Sequence, residues 1–348
     1  MATLNELRVV LAGCGGMANA WINIALKIPQ IKLVGLVDVR REAAEAKAAK
    51  FNLPPEMVFT NLRRAIKKTQ ANVVFDVTVP AAHHQVALTA FKYGCHVLGE
   101  KPMSDTLARA RKMVAAAEKA GVSYGVTQTR RPNLGAISAA AFIDSGQLGG
   151  VEEIHSDFYI GAHFGGFRDE MDEVLLVDMA IHTFDQARQI GGCDPVSVYC
   201  QSWNPPHSWY QGNASACAIF QMKTRDGRPV IYTYRGSWCN EGLQTSWNGD
   251  WRITGPKGTI RWDGEQSIKA SLIKPGGEHK FNSEMLEMEV PPVQWPYGGH
   301  EMMIRNFVEH LMQGTALICP CQDNIKSLAM VLAAVASAKK GRPVPVVW

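Results

Sequence analysis

Apolar residues follow two different rhythms along this chain. In the first 128 residues they form short, nearly continuous runs: LRVVLAGCG (7–15), KLVGLVDV (32–39), NVVFDVTV (72–79), HVLGE (96–100) and SYGVTQT (123–129). Continuous Val/Leu-rich runs of that length suit strands covered on both faces, as in a parallel sheet. Between them lie Ala-, Lys- and Arg-rich stretches with helical character: ANAWINIALK, RREAAEAKAAKF, LRRAIKKT, HQVALTAFKYG and TLARARKMVAAAEKAG. Strand and helix in alternation predict an α/β doubly wound domain with right-handed crossovers.

Beyond residue 150 the rhythm changes. VEEIHSDFYIGAHF, VSVYCQSW, ASACAIFQMK, PVIYTYRGSW and WRITGPKGTIRW read as strands in series, punctuated by TRDGRP and TGPKGT. This predicts a large, mostly antiparallel sheet. One long helix, 171–191, interrupts the strands, and two more, 299–313 and 322–340, close the chain. The boundary falls near TRRPN. The expectation is a Rossmann dinucleotide-binding domain over 1–129, then an α+β domain over 130–348 with a large, mostly antiparallel open sheet for substrate binding and oligomerisation. The C-terminal helices are free to pack back on the first domain.

With 348 residues, 46% hydrophobic and 20% charged, the chain has the composition of a two-domain globular protein and not of a disordered one. The net charge of +4 is spread without a basic run, so no nucleic-acid partner is expected. No run approaches the ~18 apolar residues of a membrane helix, and the N-terminus lacks the order of a signal peptide. The eight cysteines are scattered without a CxxC pair, which fits reduced thiols in a cytoplasmic protein.

Gly13-x-Gly15-x-x-Ala18 follows the first strand at the mouth of a helix. Glycine suits a tight turn there, and a helix N-terminus offers unsatisfied N–H groups to a pyrophosphate. A second strand ends at Asp38, near the ~20-residue spacing of the acid that binds a ribose 2′-hydroxyl. Gly16 and Met17 in the loop, and Val39 and Arg40 after the acid, complete this group. Asp38 favours NAD by repelling a 2′-phosphate, while Arg40 and Arg41 keep NADP open.

Residues 78–103, TVPAAHHQVALTAFKYGCHVLGEKPM, resemble the Gfo/Idh/MocA family of glucose–fructose oxidoreductase and inositol dehydrogenase. Thr78, His83, Gly94, His96, Val97 and Glu100-Lys101-Pro102 fall into the family's pattern, with Pro80 one place later than its usual proline. The glycine motif and Asp178-x-x-x-His182 match as well, so the resemblance runs from about residue 7 to 340, at isolated positions only in the second domain. It implies cofactor contacts from Thr78, His83, Glu100, Lys101 and Gln128. It also implies an NAD(P)-dependent dehydrogenase acting on a secondary hydroxyl of a sugar, sugar derivative or cyclitol, with Lys101, Asp178 and His182 at the reacting centre. Oxidising an alcohol requires a base near neutral pKa, and histidine meets that need. The resemblance implies that His182 takes the hydroxyl proton, that Asp178 orients the substrate or the imidazole, and that Lys101 polarises the same oxygen.

The helix VLLVDMAIHTFD carries a third polar residue, Asp185, three positions past His182. A solvated polar stripe is the bland account of all three. Asp and His at this spacing can also chelate, but no third ligand stands at a convincing position, so no metal is expected. Around the pocket, His163 and Arg131 are substrate candidates, with Tyr159 and Arg168 weaker ones. Tyr234 and Trp238 are either sugar-stacking or core aromatics. The loop His207–Tyr210 either covers the pocket or meets a neighbouring subunit. A homodimer or homotetramer is expected. Two other functions fit the same motifs: NAD-dependent glycoside cleavage without net redox change, and a non-catalytic dinucleotide or sugar sensor.

Overall fold

The computed structural model describes residues 4–278 and 281–348, which divide into two compact units. The first runs to Pro132 and also takes Pro296–Ile325; the second holds Asn133–Trp295 and Lys326–Trp348. The division falls within TRRPN, between Pro132 and Asn133. A segment of the C-terminal region, 296–325, belongs to the first unit.

The first unit contains β1 (Leu7–Ala12), α1 (Ala18–Ala25), β2 (Ile31–Val37), α2 (Arg41–Lys50), β3 (Val58–Phe59), α3 (Leu62–Thr69), β4 (Val73–Asp76), α4 (Pro80–Lys92), β5 (His96–Glu100), α5 (Leu107–Ala120) and β6 (Tyr124–Thr127). All six strands are parallel, in the order β3-β2-β1-β4-β5-β6. This is the Rossmann order, in which the chain reverses direction across the sheet between β1 and β4. The continuous apolar runs are explained by burial on both faces: Val9, Val10, Leu11, Val73, Val74 and Phe75 are all at most 1% exposed. The two-residue β3 is too short to leave a pattern and was not foreseen in the sequence.

The second unit begins with α6 (Leu134–Asp144), whose Asn133 caps the helix by accepting from Gly135 N and Ala136 N. LGAISAAAFID is apolar on nearly every side, so it lacks the amphipathic period that reveals a surface helix. Then come β7 (Glu153–Tyr159), α7 (Ile181–Gly191), β8 (Cys193–Trp203), β9 (Ser215–Thr224), β10 (Pro229–Ser237), β11 (Asp250–Gly255), β12 (Gly258–Trp262), β13 (Ile268–Ile273) and β14 (Met285–Glu289). Helices α8 (Gly299–Gln313) and α9 (Cys321–Lys340) and the short β15 (Val344–Pro345) close the chain. The nine-stranded sheet has the order β14-β13-β12-β11-β7-β10-β9-β8-β15. Its pairs are antiparallel except β7 with β10, which run parallel. In β9 the inward side chains of Ala218, Phe220 and Met222 are buried while Cys217, Ile219 and Gln221 face outward. Phe184 of α7 packs edge-on against Phe220, Tyr232 and Tyr234, at centroid distances of 4.8, 6.1 and 5.2 Å.

The 3.6-residue period behind α8 has its reason in the first unit. Ile304, Phe307, Val308 and Leu311 are buried in one core with Leu7, Trp21, Ile22 and Phe75. No helix among the described residues is long and apolar enough to cross a membrane.

Candidate functional site

The glycine loop is built by a close approach of two backbones. Gly13 has φ +95°, and a Cβ there would stand 2.5 Å from the Val77 carbonyl oxygen and 2.7 Å from Thr78 N. Only glycine fits. The Val77–Thr78 backbone therefore lies directly against the loop, which brings the end of β4 to the same place as the end of β1. At Gly15 and Gly16, by contrast, no described residue other than the glycine's own chain neighbours comes within 4 Å of the position a Cβ would take. Cys14, between Gly13 and Gly15, is buried, and burial with the nearby Asp38 pushes its thiol up to about 12, so it stays protonated.

Asp38 is tied to this loop. Its Oδ2 accepts from Cys14 N at 2.8 Å and its Oδ1 from Arg40 N at 2.9 Å. The Arg41 guanidinium is drawn to Glu45 at 2.8 Å, one turn along α2. The carboxylate of Asp38 therefore stands fixed where β2 ends, and the Met17 and Val39 side chains are exposed.

His83, on α4, is buried and pairs through Nδ1 with Asp76 Oδ2 at 3.0 Å. Thr78 Oγ1 donates to the other Asp76 oxygen at 2.6 Å. Burial by itself would lower the His83 pKa, but the charge of Asp76 and the hydrogen bond to it raise it above the ordinary value. Pro80 is the first residue of α4, where its missing N–H loses nothing.

Glu100 closes β5 as a buried carboxylate. Its Oε1 accepts from Trp21 Nε1 and faces His300 Nε2, both at 2.8 Å, and its Oε2 accepts from Lys101 N at 3.2 Å. Burial acts to raise its pKa, yet the bonds to His300 and Trp21 outweigh it and leave the carboxyl below its ordinary value. Glu100 thus links Trp21 and His300 to the backbone N–H of Lys101. Neither Trp21 nor His300 stood out in the sequence; each lies far from Glu100 along the chain, with no local spacing to reveal it. The Lys101–Pro102 peptide bond is cis. At the end of β6 the Gln128 side chain is buried, and neither Nε2 nor Oε1 has a protein partner among the described residues. Arg131 turns instead to the Ile318 carbonyl, at 2.9 Å, and to Asp323. Its burial goes with this tie to the segment before α9 and to the first turn of α9 itself.

In the second unit the helix of VLLVDMAIHTFD is not uniform. Leu175–Ala180 winds as a π-helix and the α-helix starts at Ile181. Uniform α-helical spacing therefore does not describe Asp178 and His182. π-Turns of this kind are frequent at functional sites. Asp178 and His182 are each 8% exposed and Asp185 is 1% exposed, so the three do not form a solvated stripe. Asp178 Oδ2 accepts from Arg168 Nε at 2.6 Å. Asp185 has a different task. It accepts from Ser327 Oγ at 2.6 Å, and Arg188 one turn on bonds Ser327 and Asp194, each at 2.9 Å. These bonds fasten α7 to the second-unit part of α9.

Of the softer candidates, His163 is exposed, stacks on Trp209 at 3.6 Å and meets Glu241 Oε1 at 3.0 Å. Tyr234 and Trp238 are fully buried, which makes them core aromatics. Tyr159 is half-buried at the end of β7, where its backbone N–H donates to Thr245 Oγ1 at 3.0 Å. The 207–210 loop is fastened within the unit: Tyr210 Oη donates to the Ala162 carbonyl at 2.6 Å, and His207 Nε2 lies 3.2 Å from the Cys239 carbonyl.

A glycine cradle backed by β4, an acid fixed at the end of β2 and an orphaned buried amide at Gln128 fit a dinucleotide. They define the first unit as a cofactor-binding domain. The family model for the NAD-binding Rossmann fold of the Gfo/Idh/MocA oxidoreductases matches residues 7–128, and that for the family's C-terminal alpha/beta domain matches 141–346. The chain belongs to this oxidoreductase family, and its cofactor is NAD. It is 26% identical to an uncharacterized protein of Sinorhizobium fredii over 97% of this chain and 95% of that one. It is 24% identical to a D-apiose dehydrogenase of Paraburkholderia graminis, over 98% of this chain and 90% of that one. The fold is similar to that of an Agrobacterium radiobacter oxidoreductase solved with NAD+, L-tartaric acid and magnesium. There the TM-score is 0.82 at 20% identity, over 98% of this chain and 99% of that one.

Proposed function

We propose that this protein is an NAD-dependent dehydrogenase that oxidises a secondary ring hydroxyl of a sugar, sugar derivative or cyclitol. The observation that carries the proposal is the buried pair Asp178 and His182 at a junction of π- and α-helix, with Arg168 bound to the acid. Asp185 is engaged by Ser327 and Arg188, and the burial of an acid on a π-turn with an imidazole just after it supports the reading, since such turns are frequent at functional sites. The similarity to a D-apiose dehydrogenase supports the substrate class.

Bound NAD supplies the hydride acceptor at its nicotinamide ring. An imidazole nitrogen of His182 takes the hydroxyl proton as the C–H bond breaks. Asp178, its charge partly balanced by Arg168, orients the substrate hydroxyl or the imidazole. Lys101 donates to the reacting oxygen and favours its deprotonation. Glu100, held by Trp21 and His300, fixes the chain from which Lys101 projects. In the first unit the open space at Gly15 and Gly16 would admit the pyrophosphate and Asp38 would accept from the ribose hydroxyls. The outward-facing Ile219 and Ile231 of the large sheet support self-association into a homodimer or homotetramer.

Incubation with NAD and a panel of monosaccharides, inositols and glycosides, followed by absorbance of NADH, tests the reading. NADH formation on at least one polyol is expected. Tight NAD binding with no turnover on any of them would remove the substrate class.

A further inference from the structure

Two loops of the second unit expose large aromatic side chains together. Phe164 is 58% exposed, Phe167 63% and Trp247 47%. They are not scattered. The Phe164 ring lies 6.0 Å from both Trp238 and Trp247, and Trp238 meets Trp247 edge-on at 5.6 Å. Trp238 is fully buried and stacked on Phe158 at 5.6 Å, so this wall is anchored to the core. At its inner end the Arg168 guanidinium sits 5.4 Å from the Phe164 ring and 4.7 Å from Phe167, and donates to Asp178 at 2.6 Å. The polar rim is His163 with Glu241, and His163 rests on Trp209, whose Nε1 donates to the Ala162 carbonyl.

We propose that this wall is a subsite for a second ring of the substrate, which makes the substrate an O-glycoside. The inference rests on the dehydrogenase reading only for the position of the reacting ring, beside Asp178. Grouped, exposed aromatics on a soluble protein mark a binding surface. A pyranose or aryl ring offers an apolar face to stack on such a wall, and a pyranose offers hydroxyls at its edge to the His163–Glu241 rim. The wall's cation, Arg168, already faces Asp178. A neutral ring therefore suits this surface better than a phosphate.

The test uses the NAD-loaded full chain and calorimetric titration with glucose, galactose, mannose and xylose, each as free sugar and as phenyl β-glycoside. For at least one sugar the glycoside is expected to bind about 10-fold tighter, equal to about 1.4 kcal/mol. Phe164→Ala and Trp247→Ala are expected to abolish that advantage, with free-sugar and NAD affinity unchanged and Phe164→Tyr retaining it. Equal affinity for every pair, an advantage that survives both alanine substitutions, or a change of oligomeric mass in the variants would overturn the proposal. The last result would assign the wall to a subunit contact. If free sugars are oxidised and no glycoside binds better, the subsite falls and the dehydrogenase reading stands. If glycosides bind through the wall and none is oxidised, the subsite stands and that reading falls.

Discussion

The two units place their chemistry by opposite means. In the first, the decisive geometry is local: a glycine loop, one strand end and one carboxylate, all within Gly13–Arg40, with Thr78 packed against them. In the second, the acid stands on a π-turn and the imidazole in the first turn of the α-helix that follows, and the acid accepts from Arg168 on the preceding loop. The aromatic wall joins two loops, one after β7 and one after β10, that are far apart in the chain and adjacent in the sheet. A cofactor common to many enzymes can be met by a contiguous motif. A particular substrate needs side chains gathered from many places.

The separation can be broken in order of effect. Lys101→Met and His182→Ala are each expected to lower kcat by about 10²–10⁴-fold while leaving NAD affinity nearly unchanged, checked by steady-state kinetics and by titration. A comparable loss of NAD binding in His182→Ala would show that the second unit's chemistry is not separable from the first. Gly13→Val should do the reverse. Its side chain would collide with the Val77–Thr78 backbone at a φ that valine avoids, so NAD affinity should fall by about 100-fold or more, or about 2.7 kcal/mol. Retained affinity by fluorescence titration would contradict the cradle.

Asp185→Ala sharpens the comparison within the second unit. Removing one partner of a buried charged cluster costs about 3–5 kcal/mol, so thermal unfolding should shift markedly downward while NAD affinity holds. An unchanged melting temperature would mean that Asp185 is not the clasp described. The smallest effect concerns His83. Its pKa is raised in the folded state, so its contribution to stability is fully present below the ordinary histidine value, near 6.5, and is lost as pH rises through the folded value. His83→Gln should therefore flatten the loss of stability between near-neutral and mildly alkaline pH. Melting curves across that range check it, and an unaltered slope would count against the Asp76–His83 pair.

Much of the first unit was legible in the sequence because its determinants repeat locally. Its five longer strands and its helices followed from apolar runs and helical stretches, and the glycine loop from three residues in a row of six. The partners of Glu100 were not legible, since Trp21 and His300 reach it across 79 and 200 positions. In the second unit the alternation of buried and exposed residues marked β7–β12. The mostly exposed β14 and the largely apolar α6 gave no usable period. The π-turn at Leu175–Ala180 was invisible for a related reason: an apolar run carries no sign of which winding it adopts. Spacing alone gave no role for Asp185. Its bonds to α9 separate it from Asp178 and His182, which leaves a pair where the sequence offered a stripe of three.

The most direct test of the account is the pH dependence of kcat/KM for NAD reduction by whichever polyol the panel shows to be oxidised, compared between the native chain and His182→Ala. With His182 as the base, kcat/KM of the native protein rises with pH through one ionisation, and that limb disappears in the variant along with most of the rate. A variant that keeps the same limb at a comparable rate would contradict the role of His182 and, with it, the assignment of the reacting centre.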